Sequence, residues 1–160
     1  MYTHRPLLEE DLIKICTWPQ SSEELLYVSP RFTYPLTPEQ IITMLTNRFE
    51  PTVVIEIESG QPVAYANLYD ESKSDRHCWL GNVIVSPAHR GKGVAEVLLN
   101  TMMFNAKQKY EMKKLLLSCH NTNSRGLAFY DKHRFRPFDL RITKLEDDRR
   151  LITIQMEKEL

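Results

Sequence analysis

The sequence lacks any run of the about twenty apolar residues that a bilayer-spanning helix requires, so no segment is expected to cross a membrane. It lacks an apolar stretch after Met1-Tyr2-Thr3-His4-Arg5, so its start does not read as a secretory signal. It lacks net charge, since 21 Lys and Arg balance 21 Asp and Glu. That balance offers no global field for nucleic acid or an acidic membrane and leaves only a local basic patch as an option. It lacks grouped cysteines. Cys16, Cys78 and Cys119 stand singly, which argues against a disulfide framework or a zinc site and fits a reducing cytoplasm. They read as small buried hydrophobes. Internal repeats, low-complexity tracts and linkers are missing too. A chain of 160 residues is the size of one domain, here 1–160. It can bury roughly 68–70% of its unfolded surface, enough to need no staple.

Proline and turn residues mark the joints. Tyr2 to Pro6 reads as a strand. Leu8 to Thr17 carries Leu8, Leu12 and Ile15 at helical spacing and stops before Pro19. Ser21 and Ser22 open a second helix. Thr37-Pro38-Glu39-Gln40 opens a third, with Thr37 as the cap, and it is expected to run to about Phe49. Thr52 to Glu58 and Val63 to Tyr69 form a hairpin around Ser59-Gly60-Gln61-Pro62. His77 to Val85 is a third strand of that group. Gly93 to Tyr110 is a long helix with Val94, Val97, Leu98, Thr101 and Met102 on one face. Leu115 to Cys119 is a strand, Ser124 to His133 a helix. Phe138 to Leu145 and Leu151 to Glu157 are strands around the turn Glu146-Asp147-Asp148-Arg149. The hairpins make most of the sheet antiparallel, and the long helix makes the strands on either side of it parallel. The class is α/β of the α+β kind.

The stretch Val83-Ile84-Val85-Ser86-Pro87-Ala88-His89-Arg90-Gly91-Lys92-Gly93-Val94-Ala95 carries the chemistry. It runs from a strand through a two-glycine turn into the start of the long helix. N–H groups there have no intrahelical partner, and the helix dipole adds positive charge. Gly91 and Gly93 let backbone approach a phosphate, and Arg90 and Lys92 add charge. The pattern suits a pyrophosphate. The Gly-Lys-Ser/Thr ending of a nucleotide loop is absent, and a dinucleotide fingerprint needs three spaced glycines.

The stretch resembles the coenzyme A motif of the GNAT acetyltransferases, Arg/Gln-x-x-Gly-x-Gly/Ala, which Arg90 to Ala95 matches in full. Val83-x-Val85-x-Pro87 resembles that family's fourth strand. A second segment resembles the family's Asn-x-x-Ala-x-x-Leu-Tyr-x-Lys-x-Gly-Phe at Asn123, Tyr130, Lys132 and Phe135. The likeness covers roughly Val53 to Glu157. Two of its departures bear on the local backbone. Gly126 replaces an alanine. Arg134 replaces the glycine that ends the helix, so it must take a left-handed conformation or alter the turn.

The resemblance implies a GNAT fold: a mixed, mostly antiparallel sheet, a parallel pair around the central helix, and helices on both faces. It implies an N-acetyltransferase using acetyl-coenzyme A as co-substrate and no metal. An amine of a small molecule or peptide would attack the thioester directly in a ternary complex. Val83, Ile84 and Val85 would hold the pantetheine arm, and Arg90, Gly91, Lys92, Gly93, Val94 and Ala95 the pyrophosphate. Asn123 would contact the pantetheine amides or a water on them. Tyr130 would line the coenzyme site and act as general acid toward the departing thiolate. Relatives carry a strand glutamate near Gly81-Asn82, and neither of those residues accepts a proton at neutral pH. A water wire past Asn82 to His77, His120 or Glu24 is one route for the proton. Cys119 as a covalent nucleophile carries little weight against a buried strand cysteine. Trp18, Tyr27, Phe32 and Tyr34, with Glu23 and Glu24, suit either a cationic amine or helix packing. A non-catalytic acyl-coenzyme A sensor on the same fold is the alternative. A nucleic-acid module using Arg90, Lys92, Lys107, Lys109, Lys113 and Lys114 is opposed by neutral charge and the lack of a stacking motif. A cytoplasmic monomer or homodimer, with no membrane or nucleic-acid partner, is expected.

Overall fold

A computed structural model describes residues 1–160. The strands are β1 (Tyr2–Pro6), β2 (Arg48–Glu56), β3 (Gln61–Ser72), β4 (His77–Val85), β5 (Lys114–His120), β6 (Arg136–Lys144) and β7 (Arg150–Glu159). The helices are α1 (Leu12–Ile15), α2 (Ser22–Val28), α3 (Pro38–Leu45), α4 (Val94–Tyr110) and α5 (Ser124–Lys132). One seven-stranded sheet runs in the order β1-β2-β3-β4-β5-β7-β6. Every pair is antiparallel except β4 with β5, the pair that α4 connects. This is the mixed topology that the order of elements in the sequence implied.

Strand alternation sends neighbouring residues to opposite faces. Val54 packs with Val94, Leu98, Met102 and Ala106 of α4. Val53 and Ile55 pack with Leu12, Ile15, Leu25 and Ile41 from α1 to α3. The sheet therefore has a core on each face, and helices on both. Ser21 caps α2 by accepting a hydrogen bond from the Glu24 N–H at 3.1 Å.

Three boundaries differ from the sequence reading. The Leu8–Thr17 segment is a 3₁₀ turn over Glu9–Asp11 followed by one turn of α1. The buried Asp11 draws the chain aside there, accepting from the Leu8 N–H at 2.8 Å and from both Arg5 Nη atoms at 2.7 and 2.9 Å. Thr37 makes no side-chain cap. Gln40 instead turns back, accepting from the Thr33 N–H at 2.7 Å and donating to the Thr33 and Pro35 carbonyls. Helix α3 ends at Leu45 rather than near Phe49, because Arg48 and Phe49 already pair with Tyr69 and Leu68.

Arg134 resolves its own ambiguity. It sits at φ 70. The Phe135 N–H reaches the Tyr130 carbonyl at 2.9 Å, and the Arg134 N–H reaches that of Asp131 at 2.9 Å. Those two bonds are the pattern a glycine cap makes at a helix end. The turn is kept, and the arginine bears its steric cost. Arg134→Gly should therefore stabilise the fold by about 1 kcal/mol, the lower end of the left-handed penalty, partly offset by a freer unfolded chain. A thermal melt in which Arg134→Gly lowers Tm would contradict this.

Candidate active site

The site begins where two strands part. β4 and β5 pair from His77 with Lys114 to Leu80 with Leu117, and there the pairing stops. Both strands continue, to Val85 and His120, with a gap between them. Opposite the gap, β4 bulges: Tyr65 faces Ile84 and Asn67 faces Gly81, so Asn82 and Val83 together oppose Ala66. Asn82 takes φ 53, which asparagine tolerates better than most residues. The extra residue shifts the side-chain alternation. Leu80 and Val83 turn toward α4, while Ile84 turns toward the α1–α3 core. Asn82 turns toward α2, donating to the Val28 carbonyl at 3.3 Å. The Ser86 N–H bonds the Val63 carbonyl on β3 at 2.8 Å. By two-residue alternation the main-chain groups of Val83 and Val85 face the gap.

At the end of β4 a 3₁₀ turn, Pro87–His89, leads to Arg90 and the two glycines. Gly91 and Gly93 lie at φ 75 and φ 82, and a Cβ on either would meet no protein atom within 4 Å. Glycine is needed there for backbone conformation and for open space beside the chain, not for internal packing. None of the N–H groups from Gly91 through Glu96 finds an acceptor, and the first internal bond of α4 is Val97 N–H to the Gly93 carbonyl. A fan of free donors at the start of a seventeen-residue helix fits a pyrophosphate. Lys92 is exposed and makes no ion pair, and Val94 and Ala95 form the first turn. Arg90 is differently placed. Its Nη2 pairs with Glu24 of α2, and its Nε donates to the Val85 carbonyl at 3.3 Å. Glu24 is thereby tied to the loop.

Helix α5 brings Tyr130 to the gap. Asn123 caps it, Oδ1 accepting from the Gly126 N–H at 3.0 Å. Gly126 makes this possible, since a Cβ there would lie 2.5 Å from Asn123 Nδ2. The alanine of the family pattern would require that amide to shift. Asn123 Nδ2 itself donates to nothing in the protein. The Tyr130 ring packs edge-on against Phe135 and Phe129. Its hydroxyl has no hydrogen-bond partner, and the residue lines two spaces. One is a narrow apolar seam beside Leu80, Val83, Leu98 and Phe129. The other is a cleft of about 890 Å³ on the α1–α3 side. Burial, with Cys119 nearby, pushes the Tyr130 pKa well above the ordinary tyrosine value. Burial also raises the Cys119 thiol to about 11, which disfavours a thiolate nucleophile at neutral pH.

The wide cleft gathers residues that sequence reasoning largely missed. His120 lines it, 5% exposed, with Nδ1 unpartnered and the Tyr27 ring edge-on at 5.2 Å. Burial lowers its pKa. Gln155 also lines it, with Oε1 unpartnered. Arg31, Arg48 and Arg141 face the cleft together, with Asp70 and Glu39. Of the four N-terminal aromatics only Phe32 lines it. Trp18 is core, Tyr27 covers His120, and Tyr34 points outward. Glu23 accepts from the Tyr27 hydroxyl, and His77 sits at the far, paired end of β4. Gly81 explains the arginines. A Cβ there would lie 2.1 Å from Arg48 Nη1 and 2.7 Å from the Tyr69 ring, so the missing side chain is the space that the guanidinium fills. No group of three or more His, Cys, Asp or Glu is placed to hold a metal. No helix is long and apolar enough to cross a membrane.

A parted parallel strand pair beside an anion-binding helix start is the architecture of an acyl-coenzyme A transferase. Residues 13–135 match the acetyltransferase (GNAT) family, and the chain belongs to it. It is an acyltransferase, of a family that uses acetyl-coenzyme A. The spermidine N-acetyltransferase of Vibrio cholerae, in a crystal structure with CoA and spermine, superposes with a TM-score of 0.80 at 17% identity, covering 99% of this chain and 95% of that one. The ribosomal-protein-S18-alanine N-acetyltransferase of Escherichia coli gives 0.71 at 18% identity, covering 99% and 94%. An N-acetyltransferase of Staphylococcus aureus Mu50 gives 0.76 at 20%, covering 99% and 98%. At such identities the likeness is one of fold. No curated protein sequence matches the chain.

The loop geometry gives a test. Gly93→Val imposes a β-branched residue on φ 82 and fills the open space beside the donors. Coenzyme A affinity should fall at least about tenfold, given a strain of ~1–3 kcal/mol. Calorimetry showing unchanged affinity in a folded Gly93→Val protein would remove the loop from the site.

Proposed function

We propose that this protein, as a single domain, transfers the acetyl group of acetyl-coenzyme A directly to an amine in a ternary complex. The observation that supports the reading is that Tyr130, with an unpartnered hydroxyl, lines both the apolar seam and the wide cleft. The seam suits the pantetheine arm and the cleft the amine, so the two would meet at the gap between β4 and β5. Acetyl-coenzyme A, when bound, supplies the activated thioester.

The residues divide the work. The free N–H groups of Gly91 to Glu96 hold the pyrophosphate, helped by Lys92. Arg90 acts through its ties to Glu24 and Val85, which fix the loop against α2 and β4. The gap-facing amides of Val83 and Val85, with Ile84 anchoring the strand to β3, bind the pantetheine. One such N–H would stabilise the charge that develops on the thioester oxygen. Asn123 orders the start of α5 and offers Nδ2 to a pantetheine carbonyl. Tyr130 is protonated at neutral pH, as any tyrosine with an ordinary or raised pKa is, and so has a proton to give the leaving thiolate. His120 takes the amine proton through water. Its lowered pKa leaves it neutral at pH 7, and both ring nitrogens are free of protein partners. The three free cysteines fit a reducing cytoplasm.

Assay of thiol release over a panel of amines tests the activity itself. With a productive amine, Tyr130→Phe should lower turnover by about 10²–10⁴-fold while coenzyme A affinity stays the same. A wild-type rate would return leaving-group protonation to water. The histidine makes a separate forecast. A base works unprotonated, so turnover should fall as pH drops through a pKa below the ordinary histidine value of about 6.5. His120→Gln should abolish that acid limb. An unchanged pH profile in His120→Gln would exclude it as the base.

A further inference from the structure

We infer that the amine accepted by this protein carries an anionic group, a carboxylate or phosphonate, and that Arg48, with Arg141 and Arg31, recognises it. This rests on reading the wide cleft as the amine site.

The argument starts at Arg48. It opens β2 and pairs across the sheet with Tyr69. Its guanidinium carbon lies 4.0 Å from the Tyr69 ring centroid. It is half-buried, yet no carboxylate lies within ion-pair distance of it. Its one hydrogen bond goes from Nη1 to Asn67 Oδ1 at 3.1 Å. A guanidinium has five N–H donors in a planar fork that matches a carboxylate or phosphonate. Here four of the five donors have no partner in the protein, and the residue lines the cleft. Asn67 is itself fixed, donating to Asn82 Oδ1 at 2.8 Å and the Tyr65 hydroxyl at 3.0 Å, so the arginine is held in place.

Arg141, on β6, lies over the Trp79 ring at 5.5 Å, and Trp79 stands 6.1 Å from Tyr69. Arg31 lies in the loop after α2. The charges of Arg48, Arg141 and Arg31 all bear on the Tyr69 hydroxyl, as does that of Asp70. None of the three arginines makes a salt bridge, in a protein where Arg5, Arg90 and Arg149 each do. The two carboxylates of the cleft, Asp70 and Glu39, are exposed, where solvent screens them. Arg31 and Arg141 are exposed as well, so the half-buried Arg48 is the least screened charge of the cleft, and it is positive. A polycation entering here meets a fixed guanidinium in a low-dielectric wall, a mismatch of the kind that excludes partners. A zwitterionic amine has an anion for the arginines and an ammonium for the carboxylates.

The space itself is specific. Gly81 is the residue whose Cβ would collide with Arg48 Nη1. An acidic side chain at that position would occupy the place of the guanidinium and invert the charge of the wall. Gly81 and Arg48 thus act as one unit.

The test uses matched pairs on the coenzyme A-loaded protein: amino acids against their carboxamides, and aminoalkylphosphonates against amino alcohols of equal length, with spermidine as the polycation. Calorimetry should show at least one acid binding about tenfold or more tightly than its neutral partner, the ratio that a charge-assisted hydrogen bond supplies. Arg48→Gln should erase the preference. Gly81→Ala, which keeps the arginine and removes its space, should do the same, and the exposed Arg141→Gln should reduce it in a chain whose folding is not at risk. Equal affinity within every pair, no acid binding, or tighter binding of spermidine would overturn the inference. Thiol release separates it from the transferase reading. Turnover on neutral amines or spermidine without acid preference sinks the inference alone. Arginine-dependent acid binding with no thiol release from any amine sinks the transferase reading alone.

Discussion

The unmade hydrogen bonds between β4 and β5 govern the rest of the molecule. Four residue pairs from His77–Lys114 to Leu80–Leu117 hold the strands together, and beyond them each strand keeps a free inner edge. An unpaired strand edge inside a sheet is costly unless something satisfies it. A peptide-like pantetheine arm can do so with its own amides. The bulge at Asn82 accompanies the parting on the β3 side and is stabilised by Asn67 and the Val28 carbonyl. One local irregularity thus opens the gap and turns Gly81 and Asn82 toward the cleft. It also leaves Val83 on the α4 side, against the seam.

The two faces of the sheet then take different chemistry. The α4 face is apolar around Leu80, Val83 and Leu98, and ends in the free N–H groups of the glycine loop. Beside its own apolar core, the other face carries a polar cleft with His120, Gln155 and three arginines. Tyr130 lines both the seam and the cleft, which is what lets two substrates meet at the gap in the proposed function. The Arg90–Glu24 pair links these halves physically, since it ties the loop that holds the phosphates to the helix that covers His120.

Much of this was legible in the chain. The element order, the parallel pair, the glycine loop and the tyrosine helix all leave local signals: a change of period, a capping serine, two glycines before a helix. Of the wide cleft, Asn82, His120 and Phe32 were singled out, with Val83 and Tyr130 of the coenzyme site, and its arginines left no local signal. Arg48 and Tyr69 lie 21 positions apart, Gly81 another 12 beyond, and Arg141 far downstream; only sheet register brings them together. Gly81 read as an absence of a carboxylate, whereas in three dimensions it is the presence of a cavity. The same holds for Gly126, which read as a mild change and is the room for the Asn123 cap. The Thr37 cap failed for a related reason: Gln40 found partners at Thr33 and Pro35 in a loop whose path no local pattern specifies. The N-terminal aromatics and carboxylates misled because composition cannot say which face of a short helix is inward.

Glycine substitution in this fold therefore does two separable things. At Gly91 and Gly93 the backbone is left-handed and nothing in the protein crowds it, so the missing side chain serves a ligand and a conformation. At Gly81 and Gly126 the backbone is ordinary, and the missing side chain serves another residue of the same chain, an arginine or an asparagine. The first kind leaves open space beside the unpartnered N–H groups at the start of α4. The second kind sets which side chain lies beside the backbone, Arg48 at the cleft and Asn123 at the start of α5, so a Cβ at either position acts through a neighbour and not through the glycine itself.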